Sequence, residues 1–178
     1  MALPADQVDV CLILRWPNCT YHAGLPRLGP SLPASMENLA SRLRLRRYKR
    51  AVFYGESIGG FPALSAAKYL NASAGISIGG RFEVVGGRLS LPQLGRAYEP
   101  FCHCAPKSKT ALHAFSVSDH KPDSISSKRL AIVAPEVHQH IFEGHNDHNP
   151  FVGLMARGEY NAFMAKLVDL ILEDDVTI

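Results

Sequence analysis

The chain has 178 residues, 47% hydrophobic and 20% charged, with a formal net charge of +3. That length suits one domain over residues 1–178 with a single core, and the balance excludes a disordered or fibrous chain. No segment approaches the roughly 20 consecutive apolar residues of a membrane span, so no membrane partner is expected.

The first residues, Met1-Ala2-Leu3-Pro4-Ala5-Asp6, hold no basic stretch followed by an apolar one. A signal peptide is therefore not expected, and a cytoplasmic location is. Residues 8–14, Val-Asp-Val-Cys-Leu-Ile-Leu, form an apolar run that predicts a strand covered on both faces, as in a parallel sheet. Residues 16–33 are rich in proline and glycine and read as a loop long enough to carry function. Ser35 is the expected N-cap of a helix in which Met36, Leu39 and Leu43 recur at helical spacing, ending near Arg47. Arg42, Arg44, Arg46, Arg47, Lys49 and Arg50 gather at that end. Without interleaved aromatics or a nucleic-acid motif, they read as a solvated helix terminus favourable to the macrodipole, and no nucleic-acid partner is expected.

Residues 50–54 predict a second strand running directly into Gly55, and residues 58–69 a helix. Ala63, Ala66 and Ala67 give that helix a small-residue face able to approach a sheet closely, and Pro62 falls in its first turn, where a missing N–H does no harm. Residues 74–78 form a third strand, ended by Gly79-Gly80. Periodicity then fails over residues 81–110, an irregular excursion and a candidate small cap. The four cysteines, Cys11, Cys19, Cys102 and Cys104, make neither a CxxC pair nor a zinc-finger spacing. They read as free thiols; Cys102-His103-Cys104 leaves a full ligand set unspecified, and no metal or cofactor is expected.

Residues 112–117 predict a fourth strand, followed by a turn through Asp119 and Pro122. Asp123 or Ser124 can cap a helix reaching Val133, and residues 137–142 give a fifth strand. A loop rich in His, Asn and Asp leads to an amphipathic helix over 160–172, with Phe163, Leu167, Leu170 and Ile171 on its buried face. Strands alternating with helices predict an α/β fold, a three-layer sandwich with a mostly parallel sheet.

In an open parallel sheet, ligands bind beyond the carboxyl ends of the strands. Three chemically useful groups fall at such ends: Ser57, then Asp119 or Asp123, then His145 or His148. Ser57 stands in Gly55-Glu56-Ser57-Ile58-Gly59, where a nucleophile on a sharp strand-to-helix turn needs small neighbours two before and two after it. Gly55 and Gly59 are expected to give that clearance. The helix start directs N–H groups at the site, so the Ile58 N–H is one expected oxyanion donor. The second would come from Arg15 or Trp16, since Pro17 has no N–H. His138 and His140 alternate along the fifth strand and read as structural, although with His145 and His148 they make four histidines in eleven residues, a cluster that invites a metal test.

The run Tyr54-Gly55-Glu56-Ser57-Ile58-Gly59-Gly60-Phe61-Pro62-Ala63-Leu64, with an acid and then a histidine downstream, resembles the α/β-hydrolase family of serine hydrolases. The resemblance runs from about Val8 onward and implies a compact, trimmed member: there is no room for two further antiparallel strands ahead of residue 8, nor for a large lid. It implies Ser57 as nucleophile. It favours Asp119, three residues after Ser116 and followed by Lys121-Pro122, as the acid, with Asp123 the alternate because Asp123 also suits an N-cap. It favours His148, within Asp147-His148-Asn149-Pro150, as the base, with His145 the alternate. The activity implied is cleavage of a small-molecule ester or thioester through an acyl-enzyme on Ser57. An acyltransferase using the same triad, or a catalytically silent binding module acting through residues 81–110, are the alternatives.

Overall fold

Among the described residues, four short runs rich in β-branched, aromatic and small residues build the sheet, and their side-chain alternation decides which helix covers which face. A computed structural model describes residues 6, 8–13, 24–80, 109–144 and 146–172. The strands are β1 (Val52–Glu56), β2 (Ala74–Ile78), β3 (Ala111–Val117) and β4 (His138–Phe142). All pairs are parallel in the order β1-β2-β3-β4, with Val52 beside Ala74, Ala74 beside Ala111 and His113 beside His138. The helices are α1 (Leu32–Leu43), α2 (Gly60–Tyr69), α3 (Lys121–Val133), α4 (Pro150–Ala156) and α5 (Tyr160–Leu172).

Leu112 and Ala114 point to one face, where they pack with Phe61, Leu64 and Ala67 of α2 and with Leu130 of α3. Ile76, Ile78 and Phe115 point to the other and meet Leu154 of α4 and Phe163, Leu167 and Leu170 of α5. Outside α2 lies α1, whose Met36 and Leu39 pack with Ala66. The result is the expected three-layer α/β architecture with a parallel sheet. No helix among the described residues is long and apolar enough to cross a membrane.

The structure departs from the sequence reading in several places. Residues 8–13 form no strand, and Val10 and Leu12 stand 76% and 77% exposed. An apolar run fixes a tendency to be buried but not a hydrogen-bonding partner. Here the segment is held instead by Ile13 against the α1 cluster and by the Tyr48 hydroxyl, which donates to Asp9 at 2.6 Å.

The first helix begins before Ser35. Ser31 is its cap, accepting from the Ala34 N–H at 3.3 Å, and Pro33 is accommodated in the first turn. Ser35 is buried, its hydroxyl accepting from the Leu25 N–H at 2.8 Å and donating to the Gly29 carbonyl at 3.2 Å. Arg44, in the left-handed region at φ 52, ends the helix short of Arg47.

Two members of the basic run are not simply solvated: Arg42 donates to the Arg27 carbonyl at 3.2 Å. Arg50 donates to the carbonyls of Leu170 and Ile171 at 2.9 and 2.8 Å, supplying donors to the last turn of α5. Helix α4 was not anticipated, because Gly153 breaks its apolar pattern. Its start is nonetheless well specified: Asn149 accepts from the Phe151 N–H at 2.9 Å, and Pro150 follows as the first helical residue. Of the predicted excursion at 81–110, only residues 109 and 110 are described.

Candidate active site

Strand β1 delivers the chain to Ser57, whose φ of 49° lies in the left-handed region. That conformation costs a non-glycine residue about 1–2 kcal/mol. It turns the chain abruptly into a single 3-10 turn, Ser57–Gly59, which continues as α2. Strain at this point reverses the chain over a few residues and leaves the serine at the carboxyl edge of the sheet.

Two glycines make the turn sterically feasible. A Cβ on Gly55 would lie 2.1 Å from the Gly59 carbonyl oxygen, and one on Gly60 would lie 2.2 Å from Ser77 Oγ and 2.9 Å from Gly80 Cα. The clearance expected at Gly59 is not needed, since a Cβ there meets nothing within 4 Å. It is the carbonyl of Gly59 that crowds β1, and the next residue that crowds β2.

Ser57, Asp123 and His148 converge above the sheet from three different connections. Ser57 Oγ lies 2.9 Å from His148 Nε2, and His148 Nδ1 lies 2.8 Å from Asp123 Oδ1. An ionised carboxylate only accepts, so the imidazole proton sits on Nδ1 and donates to Asp123, leaving the Nε2 lone pair to accept from the serine hydroxyl. Asp123 is 1% exposed and His148 about a quarter exposed. The arrangement can withdraw the hydroxyl proton, hold the imidazole in one tautomer and stabilise an imidazolium once formed.

Asp123 occupies a place the sequence reading gave second rank. Asp119 points away, exposed, with its carboxylate accepting from the Ser118 hydroxyl at 2.7 Å. His120, not Asp123 or Ser124, is the cap residue of α3, which puts Asp123 in the first helical turn with its side chain facing inward. The signal lay in Pro122. Proline is favoured in the opening turn, so a helix containing it starts ahead of Asp123 and removes Asp123 from the cap.

His120 was missed altogether. Its Nδ1 lies 3.0 Å from the same Asp123 Oδ1, and its ring centroid is 5.4 Å from that of His148. The residue just after β2 comes close as well: a Cβ on Gly79 would lie 2.9 Å from the His148 carbonyl oxygen.

Ile58 stands in the first turn after the elbow, where N–H groups lack intrahelical acceptors. His145, Arg15, Trp16, Cys19 and the Cys102-His103-Cys104 group lie outside the described residues.

A second histidine group lies lower on the sheet. His113, on β3, is buried, with its Nδ1 3.0 Å from His140 Nε2 and its ring stacked at 5.3 Å on both His138 and His140. Burial, reinforced by His140 and His138, pushes the His113 pKa down from 6.5 to about 4. Burial, with His138 adding to it, lowers that of His140 as well.

No protein-family model and no curated protein sequence matches the chain. Solved structures do. The capsule O-acetyltransferase of Neisseria meningitidis serogroup A, in complex with caged gadolinium, superposes with a TM-score of 0.51 at 14% identity, covering 76% of this chain and 63% of that one. A histidine-to-alanine mutant of that O-acetyltransferase, in complex with CoA, gives a TM-score of 0.50 at 14% identity over 75% and 64% of the two chains. A carboxylesterase of the ammonia-oxidizing thaumarchaeon Nitrososphaera gargenis gives 0.47 at 13% identity over 78% and 72%. The chain thus spans 63% of the acetyltransferase's length, and at such identities the likeness is one of fold.

Proposed function

We propose that this protein is a serine hydrolase that cleaves a small-molecule ester or thioester through an acyl-enzyme on Ser57. The observation that carries the reading is the continuous chain Ser57 Oγ–His148–Asp123, at 2.9 and 2.8 Å, set on a backbone strained at the serine. Ser57 Oγ attacks the carbonyl carbon as His148 Nε2 takes its proton, while Asp123 steadies the resulting imidazolium. In this reading the Ile58 N–H, at the positive end of the following helix, is an oxyanion donor. The alcohol or thiol leaves with the proton held by His148. Water, deprotonated by the same nitrogen, then releases the acid and restores the serine.

A second reading shares the first half-reaction. If an acceptor hydroxyl replaces water at the acyl-enzyme, the same three residues perform acyl transfer, and the fold likeness to an O-acetyltransferase at a TM-score of 0.51 favours keeping this reading beside the first.

A fluorophosphonate probe tests both, because it reacts rapidly only with an activated serine. The expected result is stoichiometric labelling of the parent, none of Ser57→Ala, a loss of about 10²–10⁴-fold in rate for Asp123→Asn, and a rate within about twofold of the parent for Asp119→Ala. Labelling of Ser57→Ala at the parent rate would refute the nucleophile. An inert Asp119→Ala beside an active Asp123→Asn would reverse the assignment of the acid. Water and alcohol acceptors are separated by supplying an activated ester with and without a simple alcohol and measuring the ratio of acid to new ester.

A further inference from the structure

Asp123 is a buried carboxylate facing two imidazoles, whereas a serine-activating triad requires one. The second, His120, makes no ordinary hydrogen bond to it: Nδ1 stands 3.0 Å from Oδ1 without the alignment to donate, and among the described residues this buried nitrogen has no hydrogen-bond partner. The other carboxylate oxygen, Oδ2, is likewise buried and unpartnered among the described residues. Buried polar atoms in folded proteins are almost always satisfied, so two orphans around one carboxylate call for an explanation. One ligand atom each from His120, Asp123 and His148 lies within 4.8 Å of the others.

We infer that His120, Asp123 and His148 form a zinc site whose occupation switches off the serine. Two imidazole nitrogens and a carboxylate oxygen are the donor set of three-ligand zinc sites that keep a fourth position for water, whereas Mg²⁺ and Ca²⁺ prefer all-oxygen surroundings. Zinc–ligand bonds of about 2.0–2.1 Å in tetrahedral geometry place neighbouring donor atoms about 3.3 Å apart. The present separations from Asp123 Oδ1 are 2.8 Å to His148 and 3.0 Å to His120, so these two pairs need open by only a few tenths of an ångström, and the three ligand atoms all lie within 4.8 Å of one another. Asp123 is held in the first turn of α3 and His148 just ahead of α4, so the donors are presented by helix starts.

The consequence for the serine follows from the two-nitrogen chemistry of imidazole. Zinc takes the lone pair of His148 Nδ1, so the single ring proton must reside on Nε2. That nitrogen then donates toward Ser57 Oγ and can no longer accept its proton. No bond is made or broken beyond the zinc–ligand bonds and the exchange of the ring proton between nitrogens through solvent. This consequence rests on the hydrolase reading; binding of the ion does not. The sequence reading expected no metal; the groups it considered were Cys102-His103-Cys104 and the four histidines His138, His140, His145 and His148, and neither included His120 or Asp123.

The test is calorimetric titration of the intact protein with Zn²⁺ and with Mg²⁺ in a non-chelating buffer, paired with fluorophosphonate labelling at each zinc concentration. The expected result is one zinc bound per chain, no Mg²⁺ at the same concentrations, labelling slowed at least tenfold at saturation, and recovery on adding EDTA. Both His120→Ala and His120→Asn are expected to weaken zinc binding at least tenfold and to shift inhibition in proportion, each compared with its own metal-free rate. The Asn variant retains a favoured N-cap residue at the start of α3 and so guards against a folding artefact. Zinc affinity unchanged in His120→Asn, or no zinc bound by the parent, overturns the site. Zinc bound in a His120-dependent way with labelling unaffected overturns the switch. Should the parent fail to label at all, the hydrolase reading falls while the titration still decides the site.

Discussion

Ser57 combines two demands in one residue, a side chain able to react and a backbone at φ 49° that a non-glycine residue adopts only at a cost. The cost can be measured without reference to activity. Ser57→Gly removes the penalty and Ser57→Ala keeps it, so the glycine variant is expected to be the more stable by about 1 kcal/mol in urea titrations, even though glycine generally loosens a chain. Equal stabilities, or a more stable alanine variant, would show that the turn is not strained. Asp123 illustrates the opposite balance. Its backbone is ordinary first-turn helix, and the cost falls on the side chain, which lies fully buried against His148 with one oxygen unpartnered among the described residues.

At the scale of elements, α2 and the turn before it are held by glycines that look alike in sequence and differ in space. Gly55 and Gly60 each face a neighbour closer than 2.5 Å to an added Cβ, at 2.1 and 2.2 Å, while Gly59 faces open space. Gly59→Ala is therefore expected to change the thermal midpoint little, and Gly60→Ala to lower stability by about 1–3 kcal/mol, because the added Cβ meets buried Ser77 on β2 and the backbone Cα of Gly80 at 2.9 Å. Differential scanning fluorimetry of the two variants side by side checks this. If Gly59→Ala is the more damaging, the close approach of α2 to β2 is wrongly placed. The acid residue was ambiguous from sequence for a related reason: one turn of helix start decides whether Asp123 caps α3 or faces inward.

Across the whole molecule, long-range contacts join segments far apart in the chain. Arg50 reaches the end of α5 from the approach to β1, and the histidines of β3 and β4 stack across the sheet against the α5 side of the core. The latter contact makes stability depend on pH. In the unfolded chain His113 takes up a proton near 6.5, whereas in the fold, buried beside His140 and His138, it does so only near about 4. Above pH 6.5 both states hold it neutral and it has no effect; as pH falls from 6.5 toward 4 the unfolded state alone gains the proton, and stability is lost. The expected loss is on the order of 2 kcal/mol. Urea midpoints at pH 7 and pH 5 check it: the drop should be steep for the parent and shallower for His113→Gln. Equal slopes would place the acid sensitivity elsewhere.

The sequence by itself determined the parallel α/β order, the elbow serine and the span of the last helix. It also favoured His148, the histidine that meets Ser57, over His145. These follow from local rules, since hydrophobic period, glycine and proline placement and helix-start chemistry act within a few residues of where they are read. What only the tertiary structure decided depends on distant neighbours. The apolar run at residues 8–13 pairs with no strand among the described residues, and Asp123 rather than Asp119 met His148. Likewise, Gly60 rather than Gly59 met the sheet, and His120 came to share a carboxylate with a residue 28 positions away. A carboxylate, an imidazole or a glycine has the same local preferences wherever it stands, and its role is set by which distant groups the packing brings within a few ångströms.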